Sequence, residues 1–327
     1  MKSKLKLAIS AIAVAGLVVN APSVSAASTS YPAKGKTITI IVPYDAGGAG
    51  DIGARMLAPY FKEAIGATNV EVVNRPGAGS QVGITALAAS APDGYTIGFT
   101  HLPATITTYL DPARAATYNL SKLTPISMMV VVPTILVARA ESKYKTIKDV
   151  VDDAKAGNKV TISDSGILSD GHIASLQLQQ LAGVKFQAVH STGGAATTAD
   201  VLGGQVSVGT LNVGGATNEL IKSGKLRILG VFSSAKDITF PNAKTAKAQG
   251  YPIVVSTSRA ISGPAGMSSA NVVRISTALN KAMKNPEFVA KASAAGLYIK
   301  FMWPTQLQKY WSDMEKSTLP LIALKNS

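Results

Sequence analysis

Apolar positions along this chain switch repeatedly between a short, β-branched rhythm and a helical one. Thr37 to Val42 is a β-rich run that stops at Pro43, and behind it Ala54, Leu57, Ala58, Phe61 and Ile65 recur at helical spacing. Asp51 is placed to cap that helix, and Pro59 to kink it. Val70 to Val73 predicts a second strand, Ser80 or Gln81 opens a helix through Ala88, and the turn Ala91-Pro92-Asp93-Gly94 leads into a third strand, Tyr95 to Thr100. Strands alternating with helices in this way predict a parallel α/β sheet.

Ile126 to Val137 is a longer apolar stretch with Pro133 inside it, as a strand crossing between two domains would be. Beyond it the alternation resumes. Thr146 caps a helix through Ala156, Val160 to Ser163 is a strand, a helix runs from about Asp170 to Leu181, and Lys185 to His190 is a strand. The turn Ser191 to Gly194 and a helix to Leu202 follow, then strands at Val206 to Leu211 and Leu226 to Phe232. Tyr251 to Ser258 reads as a return crossing, Ser269 caps a long helix ending before Gly296, and Thr305 caps an amphipathic helix bearing Leu307, Tyr310, Trp311 and Met314. Trp303 and Trp311 are expected to pack that last helix. Two crossings imply an inserted domain. The expected organisation is α/β, with a first lobe from residues 36–129 and 258–327, a second from 130–257, and a hinge and cleft between them.

The N-terminus adds an address. Lys2, Lys4 and Lys6 precede an uncharged run from Leu7 to Val19, and Val24-Ser25-Ala26 supplies small residues for cleavage near Ala26. Residues 1–26 therefore read as a signal peptide, too short in its apolar part for an ordinary membrane span. Net charge is +14, and the leader's three lysines leave +11 on the remainder. That favours small anions. The lysines are scattered without interleaved aromatics, which argues against nucleic acid. There is no cysteine, which removes disulfides, thiolate nucleophiles and zinc–cysteine sites.

Candidate chemistry concentrates in two glycine-rich loops, each between a strand and a helix: Tyr44 to Asp51 and Gly77 to Gly83. Such loops present unpaired backbone N–H groups to an anion. The first also contains Gly48-Ala49-Gly50-Asp51-Ile52-Gly53, a literal G-x-G-x-x-G with Glu71 about where a ribose-binding acid is expected. That sustains an alternative, a secreted oxidoreductase. However, the glycines begin several residues past the strand, and export removes the cofactor supply. A hydrolase is the other enzyme alternative, and the chain has no G-x-S-x-G. His101, His172 and His190 show no metal-like spacing, and Asp164, Ser165, Asp170 and His172 are close in sequence without implying a triad. Asp45 either bonds the turn or faces the cleft. Tyr44 is placed to lay its ring or hydroxyl against a ligand. The turns Ser163 to Leu168 and Ser191 to Gly194 repeat the same device on the opposite wall, since ligands of open α/β sheets bind beyond the strand ends.

Taken together, IIVPYDAGGAGD, VVNRPGAGSQVG, APDGYTIGF, VHSTGGAATTADVLGGQVSVG and IKSGKLRILGV resemble the solute-binding proteins of tripartite tricarboxylate transporters, the Bug family, in order from about Lys36 to the C-terminal helix. The resemblance implies a two-domain periplasmic binding protein fold of type II-like form. It further implies a receptor that delivers a carboxylated metabolite to a membrane permease of one large and one small subunit; the expected state of the chain is a monomer. One carboxylate would be held through backbone amides and water by Ala46, Gly47, Gly48, Ala78, Gly79, Ser80, Gln81 and Val82, with Tyr44, Asp45 and Asp51 in the same loop. The far wall would be Ser163, Ser165, Gly166, Leu168, Ser191, Thr192, Gly193 and Asn212.

The chain departs from the family pattern in three places. Asp45 and Ala46 stand where a small residue and proline are usual, Leu168 where glycine is, and Ser191 where tyrosine is. The expected function is a di- or tricarboxylate receptor that works by hinge closure, with no catalysis, cofactor or metal. A membrane sensor kinase is a second partner that the same binding physics would serve.

Overall fold

A computed structural model describes residues 31–325 apart from Asp45, Gly48, Thr192 and Ile238. The leader lies outside the described residues. Along the chain run β1 (Thr37–Val42), α1 (Ala49–Ile65), β2 (Asn69–Asn74), α2 (Gln81–Ala88), β3 (Thr96–Leu102) and α3 (Ala104–Leu110). β4 (Leu123–Arg139) is followed by α4 (Ile147–Lys155), β5 (Thr161–Asp164), α5 (Asp170–Ala182), β6 (Gln187–His190), α6 (Gly194–Leu202), β7 (Val208–Asn212), α7 (Gly215–Lys222) and β8 (Leu226–Val231). β9 (Ser256–Pro264), α8 (Ser269–Met283), α9 (Pro286–Ala294), β10 (Ile299–Met302) and α10 (Pro304–Thr318) complete the order, with a closing 3-10 segment at Leu319–Leu324.

Two parallel triplets form the two ends of the sheet. β1 pairs with β2 and β3, and β5 with β6 and β7, all in parallel register. Between them lie the two crossing strands, antiparallel to one another from Leu123↔Pro264 to Pro133↔Ser256. The 17 residues of β4 change partners at a single point. Residues up to Pro133 pair with β9 and β10, and Thr134 onward with β7 and β8. Proline lacks an N–H to donate, so it suits the point where one ladder ends and another begins. The result is one continuous sheet in the order β2-β1-β3-β9-β4-β7-β5-β6, with strand ends of both triplets facing a common crevice.

The periodic faces read from the sequence are buried. Ala54, Leu57, Phe61 and Ile65 of α1 are at most 1% exposed and join β1, β3, β4 and α8 in one cluster. Pro59 sits within α1 without ending it. A second cluster packs α4 and α5 on β5 and β7, and a third packs α2, α3 and α10 against β3 and β4. Leu321 and Ile322 belong to the second cluster, so the C-terminal segment passes from the first set of elements onto the second. No helix among the described residues is long and apolar enough to cross a membrane.

Several expectations shift. Asp51 lies inside the first turn of α1 rather than at its N-cap. The return crossing begins its ladder at Ser256, later than Tyr251. The long C-terminal helix is two, because the Asn285 side chain accepts from Glu287 and Phe288 N–H and starts α9 with Pro286 in its first turn. The last helix begins at Pro304, before Thr305. Its Trp311 is fully buried whereas Trp303 is 41% exposed, so only one tryptophan packs as expected. Helices α3 and α7 and strand β10 are short and lack a clean apolar period, and the sequence reading missed them.

Candidate functional site

The two glycine-rich loops are brought side by side by a close approach only glycine permits. A Cβ on Gly83 would lie 2.6 Å from Pro43 Cβ and 2.7 Å from the Arg75 carbonyl oxygen, so the first turn of α2 rests directly on the end of β1. Ala78, Gly79 and Ser80 all take positive φ in the one-turn segment before α2. Arg114 lies over this turn and donates to the Ala78 carbonyl, while Gln81 Nε2 donates to the Arg114 carbonyl at 3.1 Å. Ser80 Oγ is buried without a hydrogen-bond partner. Val82 is half exposed.

The first loop is tied down from within. Asp51, 3% exposed, accepts from Gly47 N–H at 2.9 Å, Arg55 Nε at 2.9 Å and Asn74 Nδ2 at 3.0 Å. Burial works against its charge, but these donors outweigh it and hold the carboxyl below its usual range. The Gly47 amide expected for a ligand is thus engaged by the protein's own acid. Ala46 is exposed beside it. Asp45, Gly48 and Thr192 lie outside the described residues. Of the dinucleotide pattern, Gly50 and Gly53 fall inside α1, and Glu71 accepts from Thr39 Oγ1 at 2.7 Å partway along β2. No acid stands at the strand end where a ribose would be read.

A cavity of about 400 Å³ opens between the strand ends. On one side it meets Tyr44, Gly79, His101 and Arg114, with Thr107 and Thr108 of α3; on the other it meets Ser165 to Asp170 and Gly193, and Thr257 of β9 lies at its base. Tyr44 stacks on His101 with ring centroids 4.5 Å apart. A Cβ on Gly50 would come within 2.7 Å of the His101 ring, so α1 lies flat against it. Burial, aided by the Arg259 charge, pushes the His101 pKa down to about 3 and keeps the imidazole neutral. Burial also raises the Tyr44 pKa.

The far wall divides into cavity-facing backbone and committed side chains. Ser165, Gly166, Leu168 and Gly193 line the cavity. Leu168 takes φ 58 yet is only 4% exposed. Ser163 Oγ and Ser191 Oγ instead bond Asp200 Oδ2, at 2.9 and 2.5 Å, and each other. Asn212 Nδ2 donates to Asp170 Oδ2 at 2.7 Å, beside Thr134 Oγ1 at 2.6 Å. Ser163, Ser191 and Asn212 therefore build the wall and do not line the cavity. The same holds on the near side for Ala46, Gly47, Asp51, Ala78, Ser80, Gln81 and Val82, which support or flank it.

The fold also assembles a cluster that sequence spacing did not suggest. Ligand-capable atoms of Asp164, His172 and His190 lie within 4.8 Å of one another. His190 Nδ1 is 3.0 Å from Asp164, and the two histidine rings meet edge to face at 4.5 Å. His172 Nδ1, however, accepts the Leu168 N–H at 3.0 Å. In the neutral ring this leaves the proton on Nε2, so that nitrogen has no lone pair for a metal. Burial and the neighbouring His190 hold the His172 pKa down to about 4. Burial raises that of Asp164, against the pull of His190 and the Gly166 amide. The cluster's geometric role is to pin the turn 164–168.

Sequence reasoning missed His101, Arg114, Asp170 and the α3 threonines. His101 had a signal, since it stands near the C-terminal end of a parallel strand. Arg114 had none, because its placement depends on a 3-10 turn, Pro112–Arg114, that follows the unforeseen α3.

The model of the tripartite tricarboxylate transporter family receptor matches residues 54–326. Among relatives, Protein BugT of Bordetella pertussis is 30% identical over 307 residues, covering 92% of this chain and 93% of its own. A solute-binding protein of this family from Polaromonas superposes with a TM-score of 0.79 at 22% identity, over 90% of this chain and 99% of that one. MatC of Rhodopseudomonas palustris with bound malate gives 0.71 at 22% identity, over 88% and 99%. A second R. palustris protein, solved with adipate, gives 0.73 at 22% identity, over 90% and 98%.

Proposed function

The chain belongs to the tripartite tricarboxylate transporter receptor family, and on that premise we propose that it is a periplasmic, non-catalytic receptor closing over a small di- or tricarboxylate. The observation that carries this reading is the cavity between the two parallel triplets, walled by positive-φ turns from each and overhung by Arg114. Strand-end crevices of this size suit a small metabolite. Malate and adipate in the structural neighbours point to the same ligand class. After cleavage of the leader near Ala26, the lobes formed by residues 36–129 with 258–327 and by 130–257 would rotate about β4 and β9. The closed form would then dock on a permease of one large and one small subunit.

Gly79 of the positive-φ turn Ala78 to Ser80 lines the cavity, and the net charge of +11 outside the leader favours capture of an anion. The test is isothermal titration calorimetry of the mature protein with malate, succinate, citrate, adipate and aromatic dicarboxylates. Saturable one-to-one binding of at least one is expected. Heat-silent titrations across the whole panel would refute the reading.

A further inference from the structure

Arg259 stands behind the cavity lining and, among the described residues, makes no ion pair. It lies on β9 directly opposite His101 of β3, two residues along the same strand face from Thr257. His101 and Thr257 both line the cavity. The guanidinium is close enough to Tyr44, His101 and Asp170, all cavity residues, to influence or be influenced by their charges. Its Nε is buried with no hydrogen-bond partner among the described residues, and no ion pair there includes it. An arginine stays protonated at neutral pH even when burial lowers its pKa, as it does here. A desolvated charge without a partner is costly, and native folds rarely keep one that nothing is to meet.

Asp170, the acid whose charge reaches it, does not account for it. Asp170 spends Oδ2 on Thr134 and Asn212 and makes no ion pair with Arg259. His101 offers only a neutral ring whose Nε2 is likewise buried and unpaired. Ser80 Oγ, also buried, lies against Tyr44. We infer that Arg259 pairs with a carboxylate of the bound ligand at the base of the cleft, so that the receptor selects dicarboxylates over monocarboxylates of the same length. The inference rests on the receptor reading above. A first carboxylate needs only the turn amides; a second one facing Arg259 would find a rigid, planar donor fork.

Calorimetry on wild type, Arg259→Gln, Asp170→Asn and the double variant, each against adipate with hexanoate and succinate with butyrate, separates the possibilities. Circular dichroism serves as the fold control. Expected is a loss of about tenfold or more in diacid affinity for Arg259→Gln, with monoacid affinity held within about threefold. A smaller loss, or an equal loss for both acids, overturns the inference while leaving the receptor reading intact. Recovery of diacid binding in the double variant also overturns it, because Arg259 would then serve only to offset Asp170. Wild type that binds no acid of any kind defeats both. Arg259→Met, which keeps the packing of the aliphatic stem, repeats the measurement if the glutamine variant does not fold.

Discussion

Leu168 carries two opposed costs that can be measured apart. Its left-handed backbone, φ 58, strains a branched side chain by about 1–2 kcal/mol, whereas its buried isobutyl group contributes to the second core. Leu168→Gly should relieve the strain and lose the burial, for a net destabilisation of about 1–3 kcal/mol by chemical denaturation. Unchanged or raised stability would mean that strain dominates. Next to it, His172 must stay neutral to accept the Leu168 amide. With a folded pKa of about 4 and an ordinary unfolded value, the unfolded chain takes up a proton first as pH falls below about 6.5. Stability is then lost progressively down to about pH 4, by about 3 kcal/mol in all. Asp164 runs the other way because burial raises its pKa. His172→Asn, whose Oδ1 can take the same amide, should therefore flatten the pH profile between 6.5 and 4, and an unaltered slope would place the titration elsewhere. The sequence marked Leu168 as a departure from the family pattern. It gave no sign of this histidine's role, because the acceptor bond depends on the turn's conformation.

At the scale of elements, regular periodicity was legible and irregular backbone was not. The runs at β1 and β5, the helix cap at Thr146 and the apolar face of α1 all stand where the pattern put them. Helix α3, the 3-10 turn carrying Arg114 and strand β10 escaped, since each is fixed by what packs on it rather than by its own propensity. The glycine loops were found by composition, but not the detail that Asp51 occupies the Gly47 amide. That bond locks the first loop onto α1. The contact of Gly83 with Pro43 sets the second loop beside it. Gly83→Ala should push α2 off β1, lowering the melting temperature by several degrees and carboxylate affinity by about tenfold. Retention of both would show that the loops do not depend on that contact.

For the whole molecule, the alternation of elements foretold two α/β units joined by crossing strands, and the sheet does change partners within β4. The C-terminal segment was not legible as a third link. Its Leu321 and Ile322 sit in the second core, and Lys325 bonds both oxygens of Asp111 at 2.7 Å. This ties the end of the chain to the loop after α3, beside the cleft. Proteins that bind by closing have to leave such links soft enough to let the lobes rotate. Asp111→Asn should leave the fold intact and shift the open-to-closed balance, read as a change of carboxylate affinity with little change in melting temperature. A large fall in melting temperature with unchanged affinity would make the pair purely structural.

Because the chain has no cysteine, labels can be placed at will. Glu63→Cys on α1 and Lys155→Cys on α4, both exposed, put one fluorophore on each side of the cleft for single-molecule energy transfer. Saturating a bound dicarboxylate should shift the population to a shorter distance, and its uncharged diamide should not. A distance that stays fixed while calorimetry reports saturation would contradict closure over an anion between the lobes.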